Sequence, residues 1–434
     1  MKYISTANPL INTNFEEAVF KGLPDSKGLY MPAKIPLLPS SFFNKLPELS
    51  LVEVGFNVLR PYVGSEINDS TFKRIVEGTL SFSIPLKKIH DQVFSLELFH
   101  GPTLAFKDVG ARFLARILGH FATLNERKIT VLVATSGDTG SAVAHGFYEV
   151  PNVDVVVLYP KGKVSEFQRR QMTTLGKNIR AIEIDGVFDD CQDLVKKAFL
   201  DRSLQSKYNL TSANSINVAR FLPQMVYYFW AIAQLKKDYS ISSDVKVKVS
   251  VPSGNYGNLT AGLIAKRMGL GIGHFIAAAN ANNSFPKYLE TGTYTPQPSV
   301  ATLSNAMDVG NPSNVRRIDE LYDADPTKMS SDISSASYSD QDCLQTIDHV
   351  YDQYKYVLDP HGAIGYKALS MAPEKGVNIL LETAHPIKFK EVVEAVIPDR
   401  IIMPDHVQKH KKEENILSLT NEYSTFKEYL ISSR

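Results

Sequence analysis

The sequence predicts an α/β protein with two doubly wound, open-sheet domains and a small N-terminal domain. From Val93 onward, continuous Val, Leu and Ile runs alternate with helical patterns, which is typical of a parallel sheet covered on both faces. Upstream, four prolines between residues 24 and 39 break the chain into extended pieces. We therefore expect an N-terminal domain over 1–90, a smaller α/β domain over 91–215 and a larger α/β domain over 216–434.

The predicted elements are justified by periodicity. Val109, Phe113, Ile117 and Phe121 are four residues apart, which gives one apolar face of a helix. Helices are expected at 42–60, 70–78, 108–121, 140–147, 166–175, 189–199, 220–236 and 259–268. Strands are expected at 93–98, 128–134, 153–159, 179–184, 245–251, 275–279 and 377–381.

Three further segments have no predicted role in chemistry. The apolar stripe of Phe221, Met225, Phe229 and Ile232 is expected to be core or a subunit interface. The serine-rich segment 329–340 is expected to be a surface loop. The charged run at 406–414 is expected to be solvated rather than a metal site.

Composition excludes several classes of protein. With 47 basic and 46 acidic residues, no nucleic-acid or membrane surface is indicated. Two cysteines, Cys191 and Cys343, cannot form a disulfide framework or a cysteine metal site, so a reducing cytoplasm fits best. No secretory signal and no membrane-spanning window is expected, and no metal is indicated.

A glycine-containing turn between a predicted strand and helix is the first candidate site. A chain that bends there points several backbone amides at one spot, at the positive end of a helix dipole, where a phosphate binds well. It is neither a Walker A loop nor a dinucleotide fingerprint, and such a turn is often plain connection. The residues concerned are Ser253, Gly254, Asn255, Tyr256, Gly257 and Asn258.

Lys107 stands between a Gly-Pro turn and a predicted helix start. An ammonium is electrostatically unfavourable at a helix N-terminus, whereas Asp108 is favourable there. This placement favours the neutral amine, which can attack a carbonyl and form a Schiff base. A single lysine is by default a surface residue whose amine reaches water. The neighbouring Phe106 and the upstream Gly-Pro turn favour an enclosed site instead.

Two more turns carry polar groups at predicted strand ends. Ser136 and Thr139 could hold an anion and Asp138 could orient a polar group, although for an isolated turn an ordinary helix cap is the better explanation. Thr383 ends a buried strand, and 359–363 is a tight polar turn before a helix. In an open α/β sheet such residues face the ligand crevice. Together, an amine, a phosphate cup and hydroxyls at sheet ends suit pyridoxal 5′-phosphate.

At these motifs the sequence resembles the threonine synthases, a family of fold type II pyridoxal-phosphate enzymes related to tryptophan synthase β-chains. The resemblance covers nearly the whole chain. It is carried by 1–6, 27–32, 99–108 (Phe-His-Gly-Pro-Thr-Leu-Ala-Phe-Lys-Asp), 134–140, 214–217 with Arg220, 253–258, 311–314 and 382–386. It implies an enzyme, a carbon–oxygen lyase of threonine biosynthesis that converts O-phospho-L-homoserine and water to L-threonine and phosphate.

The resemblance also implies roles for individual residues. Lys107 would form the Schiff base with the cofactor and move protons. Residues 254–258 would hold the cofactor phosphate, and Thr383 would bond the pyridine nitrogen. Asp138 falls where many relatives carry an asparagine facing the 3′-oxygen of the cofactor. Arg220, Ser136 and Thr139 would receive the phosphate of the substrate. A monomer or homodimer is expected.

Two other functions compete with this one. A phospho-lyase or dehydratase would use the same cofactor but release a 2-keto acid without adding water. A nucleotide-binding or regulatory protein on a doubly wound fold would form no Schiff base. The intact Lys107 and phosphate cup argue against the second alternative, and product analysis separates the first.

Overall fold

The computed structural model describes residues 1–26, 28–205, 207–242, 245–371, 376–404 and 413–432. None of the helices in these ranges is long and apolar enough to cross a membrane.

The N-terminal part contains a small sheet and a group of helices. A capping box at Ser50 and Glu53 starts α3, so the helix expected at 42–60 is divided in two. The elements are β1 (Tyr3–Ser5), β2 (Asn8–Thr13), α1 (Phe15–Lys21), β3 (Tyr30–Pro32), α2 (Ser40–Lys45), α3 (Leu51–Val63), α4 (Asp69–Thr79) and β4 (Leu86–His90).

The middle part alternates strands and helices as predicted. Its elements are β5 (Val93–Glu97), α5 (Lys107–Leu124), β6 (Ile129–Ala134), α6 (Asp138–Phe147), β7 (Val153–Pro160), α7 (Glu166–Thr173), β8 (Ile179–Asp185), α8 (Phe188–Leu200), α9 (Arg202–Gln205) and β9 (Asn209–Ser212). β5 and β6 are fully buried and β7 is nearly so, which agrees with their continuous apolar runs, whereas β9 is buried only in its second half.

The last part completes both large sheets. Its elements are α10 (Val218–Phe221), α11 (Met225–Asp238), β10 (Val247–Pro252), α12 (Gly257–Arg267), β11 (Ile272–Ala279), α13 (Ser284–Thr291), α14 (Val315–Tyr322), α15 (Pro326–Asp332), β12 (Ile333–Ser337), α16 (Asp340–Tyr354), α17 (Pro360–Ala368), β13 (Val377–Glu382), α18 (Lys390–Glu394), β14 (Leu417–Thr420) and α19 (Tyr423–Ser432). Short 3₁₀ helices lie at Leu46–Glu48, Gly64–Glu66, Leu222–Gln224, Asn305–Met307, Leu369–Met371 and Pro386–Phe389.

Three sheets organise the chain. The small sheet has the order β2-β1-β3 and is antiparallel. A parallel five-stranded sheet has the order β14-β8-β7-β6-β9. A six-stranded sheet has the order β12-β11-β10-β13-β5-β4 and is parallel except for its edge strand β4. The segments 91–215 and 216–434 each give a strand to the other's sheet, because β5 pairs with β13 and β14 pairs with β8.

The apolar stripe on the long aromatic helix is core, as predicted. Phe221, Met225, Phe229 and Ile232 are all buried. The helix expected at 220–236 is interrupted, however, by the 3₁₀ turn Leu222–Gln224, which contains Pro223. Proline lacks the amide that a continuous helix needs, so α10 and α11 are separate elements.

Two predictions for surface segments need correction. The serine-rich segment 329–340 is not a loop, because it contains the end of α15 and all of β12, which pairs with β11. Of the charged run, 406–412 lies outside the described residues. Glu414 is not solvated, because its carboxylate is bound by Arg169 over 2.9 Å and by Arg170 over 3.2 Å.

Candidate active site

A tight loop sets the position of Lys107, which is the first residue of α5. Leu104 adopts a left-handed backbone conformation with φ of 58°. The Asp108 carboxylate accepts hydrogen bonds from the Thr103 amide over 2.9 Å and the Thr103 hydroxyl over 2.6 Å. Asp108 is therefore occupied in holding the loop and does not pair with Lys107.

The Lys107 amine lies among charged groups of both signs. Burial lowers the pKa of Lys107; Asp138 raises it, while Arg220 and Lys388 lower it further, and the net shift is downward. Among the described residues, no carboxylate lies within the 4.0 Å ion-pair distance of Lys107. The geometry thus favours the neutral amine that the sequence predicted, although burial and neighbouring cations contribute to this as well as the helix end.

The glycine turn lies where β10 ends and α12 begins. Tyr256 has a left-handed backbone with φ of 56° and caps the helix. A Cβ atom on Gly254 would lie 2.6 Å from the Cα atom of Met307, so only glycine fits there. The turn is therefore built around a close approach of two backbones.

The side chains of this turn hold its shape. Asn258 accepts from the Ser253 hydroxyl over 3.0 Å and donates to the Pro252 carbonyl over 2.8 Å. The Tyr256 ring points into the core and packs against Phe285, with ring centroids 4.5 Å apart. Tyr256 can therefore contribute only its backbone to a ligand, which the sequence did not show.

The backbone amides of 254–258 find no hydrogen-bond acceptor in the described part of the chain. Unpaired amides at a helix N-terminus form a cradle for an anion. This observation tests whether the residues present fit pyridoxal phosphate, and they do: the turn offers several free donors to one phosphate group.

Thr383 follows β13 and lies beside the loop that carries Lys107. Its carbonyl accepts a hydrogen bond from the Phe106 amide over 2.8 Å. Next to it, Ala384 forms an antiparallel bridge with Ala105. The structure therefore brings Thr383 and Lys107 together at the carboxyl ends of the strands of the six-stranded sheet, where such residues were expected to face a ligand crevice.

The hydroxyl-rich turn after β6 is capped by a residue that the sequence analysis did not single out. The Thr135 hydroxyl accepts from the amides of Gly137 and Gly140 over 2.9 and 2.8 Å. Ser136 is exposed and Thr139 is half-buried, so neither hydroxyl is needed for the helix start. Both are available to a ligand.

Arg220 is buried in α10, with an exposed fraction of 4%. One terminal nitrogen donates to the Ala213 carbonyl, while the buried Nε atom has no partner among the described residues. Burial lowers the pKa of Arg220 to about 10. A buried guanidinium with an unused donor favours binding of an anion.

The loop before Arg220 is joined to the glycine turn. The Asn255 side chain donates to the Ser215 hydroxyl over 2.5 Å, and the Asn314 side chain donates to the Asn255 carbonyl over 2.9 Å. The buried Arg317 ties this junction to the N-terminal part, because it donates to the carbonyls of Ile216 and Tyr30 over 2.6 and 3.0 Å. Sequence analysis missed Arg317, since an arginine on a short helix carries no local signal.

Asp138 is the centre of a buried polar cluster that sequence analysis saw only in part. Its Oδ1 atom accepts from the Gln168 side chain over 2.8 Å and lies 3.0 Å from the Lys388 Nζ atom. Burial alone would raise the pKa of Asp138, but Lys388 and Lys107 hold it well below its usual range. Asp138 is therefore a carboxylate. The only available signal for Lys388 was its place five residues after Thr383.

A second buried polar cluster includes Glu382, the residue that directly precedes Thr383. The Glu382 side chain accepts from the Asp359 amide over 2.8 Å, and Asp359 pairs with His361 over 2.5 Å. Asp359 caps α17, as the polar turn at 359–363 predicted. Within the described ranges, no group of three or more His, Cys, Asp or Glu side chains could hold a metal ion.

Comparison with known proteins agrees with this architecture over the whole chain. The family model described as "Pyridoxal-phosphate dependent enzyme" matches residues 84–378. The models "Threonine synthase N terminus" and "Threonine synthase, C-terminal" match 2–80 and 362–430.

Relatives and solved structures give the same result. The threonine synthase of Haemophilus influenzae is 44% identical over 437 residues, covering 100% of both chains. The crystal structure of threonine synthase from Escherichia coli has a TM-score of 0.91 at 39% identity, covering 100% of both chains. The pyridoxal-phosphate-bound threonine synthase from Brucella melitensis has a TM-score of 0.93 at 36% identity, covering 99% of this chain and 98% of that one.

Proposed function

The chain belongs to the threonine synthase family of pyridoxal-phosphate-dependent enzymes, and from that premise we propose that its substrate is O-phospho-L-homoserine. The reaction converts this substrate and water to L-threonine and inorganic phosphate, by elimination of phosphate from Cγ and addition of water at Cβ.

One observation carries the proposal. A lysine amine with a lowered pKa stands at the same sheet edge as a cradle of unpaired amides and the Thr383 hydroxyl. An amine can form a Schiff base with this cofactor, a cradle of amides can hold its phosphate, and a hydroxyl can hydrogen-bond its ring nitrogen.

Each predicted residue has a role in this proposal. The amides of 254–258 hold the cofactor phosphate, Thr383 bonds the pyridine nitrogen, and Asp138 faces the 3′-oxygen. When bound, pyridoxal phosphate supplies an electron sink for the carbon next to the substrate amino group. Lys107, as a neutral amine, takes the proton from Cα of the substrate and returns a proton at the end of the reaction.

Arg220, Ser136 and Thr139 receive the phosphate of the substrate in this proposal. The support is chemical: Arg220 has a buried, unpartnered Nε atom, and the two hydroxyls are not used to cap α6. A guanidinium that binds the phosphate in place also stabilises the negative charge that builds on it as the Cγ–oxygen bond breaks.

The alternative reaction stops at a 2-keto acid. Relatives matched over 90–100% of both chains are threonine synthases, which supports addition of water over a phospho-lyase or dehydratase. We further propose that the enzyme works in the cytoplasm as a monomer or homodimer, a location that two buried, unpaired cysteines would tolerate.

The test is an absorption spectrum of the purified protein before and after addition of O-phospho-L-homoserine, with phosphate and threonine measured alongside. We expect a cofactor band that changes on addition while phosphate and threonine appear in equal amounts. Release of a keto acid without threonine would support the lyase instead. Absence of the band would overturn the proposed role of Lys107.

A further inference from the structure

Lys388 is a second lysine in the candidate site, and its side chain is completely buried. It lies in the 3₁₀ helix Pro386–Phe389, which directly follows the Thr383 segment. Its Nζ atom donates to the Thr103 carbonyl over 2.7 Å and to the Gln171 side chain over 3.3 Å, and lies 3.0 Å from Asp138 Oδ1. A buried ammonium with such contacts is costly to desolvate, so its presence calls for an explanation beyond stability.

The contacts of Lys388 join the two large sheets. Asp138 begins α6 directly after β6 of the five-stranded sheet, and Gln171 lies on α7 of the same unit. Lys388 follows β13 of the six-stranded sheet. The Thr103 carbonyl belongs to the loop that sets Lys107. Lys388 therefore fixes Asp138 relative to the Lys107 loop.

Asp138 is also the carboxylate whose charge acts on Lys107. An unpaired buried carboxylate beside a lysine would form an ion pair with it and hold it as the ammonium. In this structure the ion-pair contact goes to Lys388 rather than to Lys107, for which no carboxylate lies within 4.0 Å among the described residues.

We propose that Lys388 is a positioning residue that occupies the Asp138 carboxylate, and so leaves the Lys107 amine unpaired and able to react. This inference rests on the proposed role of Lys107. Lys388 acts through Asp138 and through its own charge, and it need not touch the substrate.

The other charged groups around this pair are consistent with the proposal. Lys107 is influenced by Asp138, Arg220 and Lys388. Asp138 is influenced by Lys388, Lys107 and His361. Asp108 is influenced by Lys388 and Arg112, but its carboxylate is held by Thr103. If Lys388 is removed, Lys107 is therefore a neighbouring lysine that can pair with the Asp138 carboxylate.

The test measures the proton on Lys107 directly. The full-length protein, stripped of cofactor, is labelled with trace acetic anhydride over a series of pH values, and the peptide that contains Lys107 is quantified by mass spectrometry. Only the neutral amine reacts, so the midpoint of labelling reports the pKa of Lys107. For Lys388→Met we expect the midpoint to rise by about one pH unit or more, because a cation is lost and Asp138 is left to pair with Lys107.

Two further variants separate this effect from a loss of structure. In Asp138→Asn the midpoint should fall, because a negative charge is removed. In the double variant Asp138→Asn with Lys388→Met the midpoint should return to within about 0.3 unit of the unmodified protein, because an ion pair without net charge has been replaced by two neutral side chains. Lys266→Met removes a lysine that pairs with Asp332 over 2.7 Å elsewhere in the fold, and it should leave the midpoint unchanged.

An unchanged or lowered midpoint in Lys388→Met, or a double variant as shifted as that single variant, overturns the proposal. If Lys388→Met does not fold, the double variant still decides, because it leaves neither charge buried alone; a midpoint that differs from that of the unmodified protein by clearly more than about 0.3 unit overturns the proposal. Labelling does not depend on the reaction catalysed. A protein that shows these shifts but forms no threonine would contradict the proposed function alone.

Discussion

The backbone amide of Phe106 donates a hydrogen bond to the backbone carbonyl of Thr383 over 2.8 Å. The His385 amide in turn donates to the Leu104 carbonyl over 3.0 Å, so two loops far apart in sequence form a short antiparallel ladder. Since Lys107 and Thr383 are attached to this ladder, a displacement of one loop would displace the other. The ladder therefore fixes the distance between the Lys107 amine and the Thr383 hydroxyl, the two groups proposed to bind the cofactor.

Replacement of Lys107 should remove activity and keep the fold. Lys107 is half-buried and supports little of the apolar core, so Lys107→Ala should keep its circular dichroism spectrum and melting temperature nearly unchanged. Turnover should fall by on the order of 10³-fold or more, because the proton-transfer group is lost. Phosphate release from O-phospho-L-homoserine measures this. Lys266→Ala is the matched control and should retain turnover; substantial turnover in Lys107→Ala would mean that another lysine performs the chemistry.

Sequence reasoning predicted the alternation of strands and helices because the buried parallel strands are continuous apolar runs, as in β6 and β7. It also singled out Lys107 and the 253–258 turn as candidates, because their signals are local. It could not assign β5 and β14 to their sheets, because pairing depends on contacts distant in sequence. For the same reason it missed Lys388 and Arg317, whose partners lie in other segments.

Replacement of Arg220 should chiefly weaken binding of the phosphorylated substrate. Charge-assisted hydrogen bonds contribute about 1.5–3 kcal/mol, so Arg220→Ala should raise KM by roughly 10- to 100-fold. The KM of Arg220→Lys should lie between those of the unmodified protein and Arg220→Ala, because lysine keeps the positive charge but lacks the planar guanidinium that binds a phosphate through two parallel hydrogen bonds. Steady-state phosphate release measures both variants. If Arg220→Ala instead loses its folded circular dichroism spectrum, the arginine is structural, through its bond to the Ala213 carbonyl.

Gly254→Ala should weaken cofactor binding. The added Cβ atom would lie 2.6 Å from the Met307 Cα atom, and backbone cannot move aside as a flexible side chain can. The turn must therefore shift, which misaligns its amides, and the dissociation constant for pyridoxal phosphate should rise by about tenfold or more. Titration followed by absorption measures it. Gly271→Ala is the control, because nothing lies within 4 Å of its added Cβ atom; equal affinities in the two variants would contradict the role of the turn.

Glu382 should make the protein less stable as the pH rises. Burial, with Asp359 beside it, raises the pKa of Glu382 well above its usual value, and its Oε2 atom has no partner among the described residues. The folded state therefore keeps a proton that the unfolded state loses above a pH of about 4.3. Each further pH unit costs up to about 1.4 kcal/mol of stability, until the pH reaches the folded-state pKa.

Glutamine does not titrate, so Glu382→Gln abolishes the difference in proton binding between the folded and unfolded states. The variant should therefore gain stability over the unmodified protein as the pH rises from about 4 to about 8. Melting temperatures over this range measure the gap. Glu53→Gln is a control of opposite sign, because hydrogen bonds from Ser50 lower the pKa of Glu53. That variant should be less stable at neutral pH, and its deficit should close in acid. A gap for Glu382→Gln that does not change with pH would mean that Glu382 is ionised in the folded protein, and that a cation or water outside the described contacts compensates its charge.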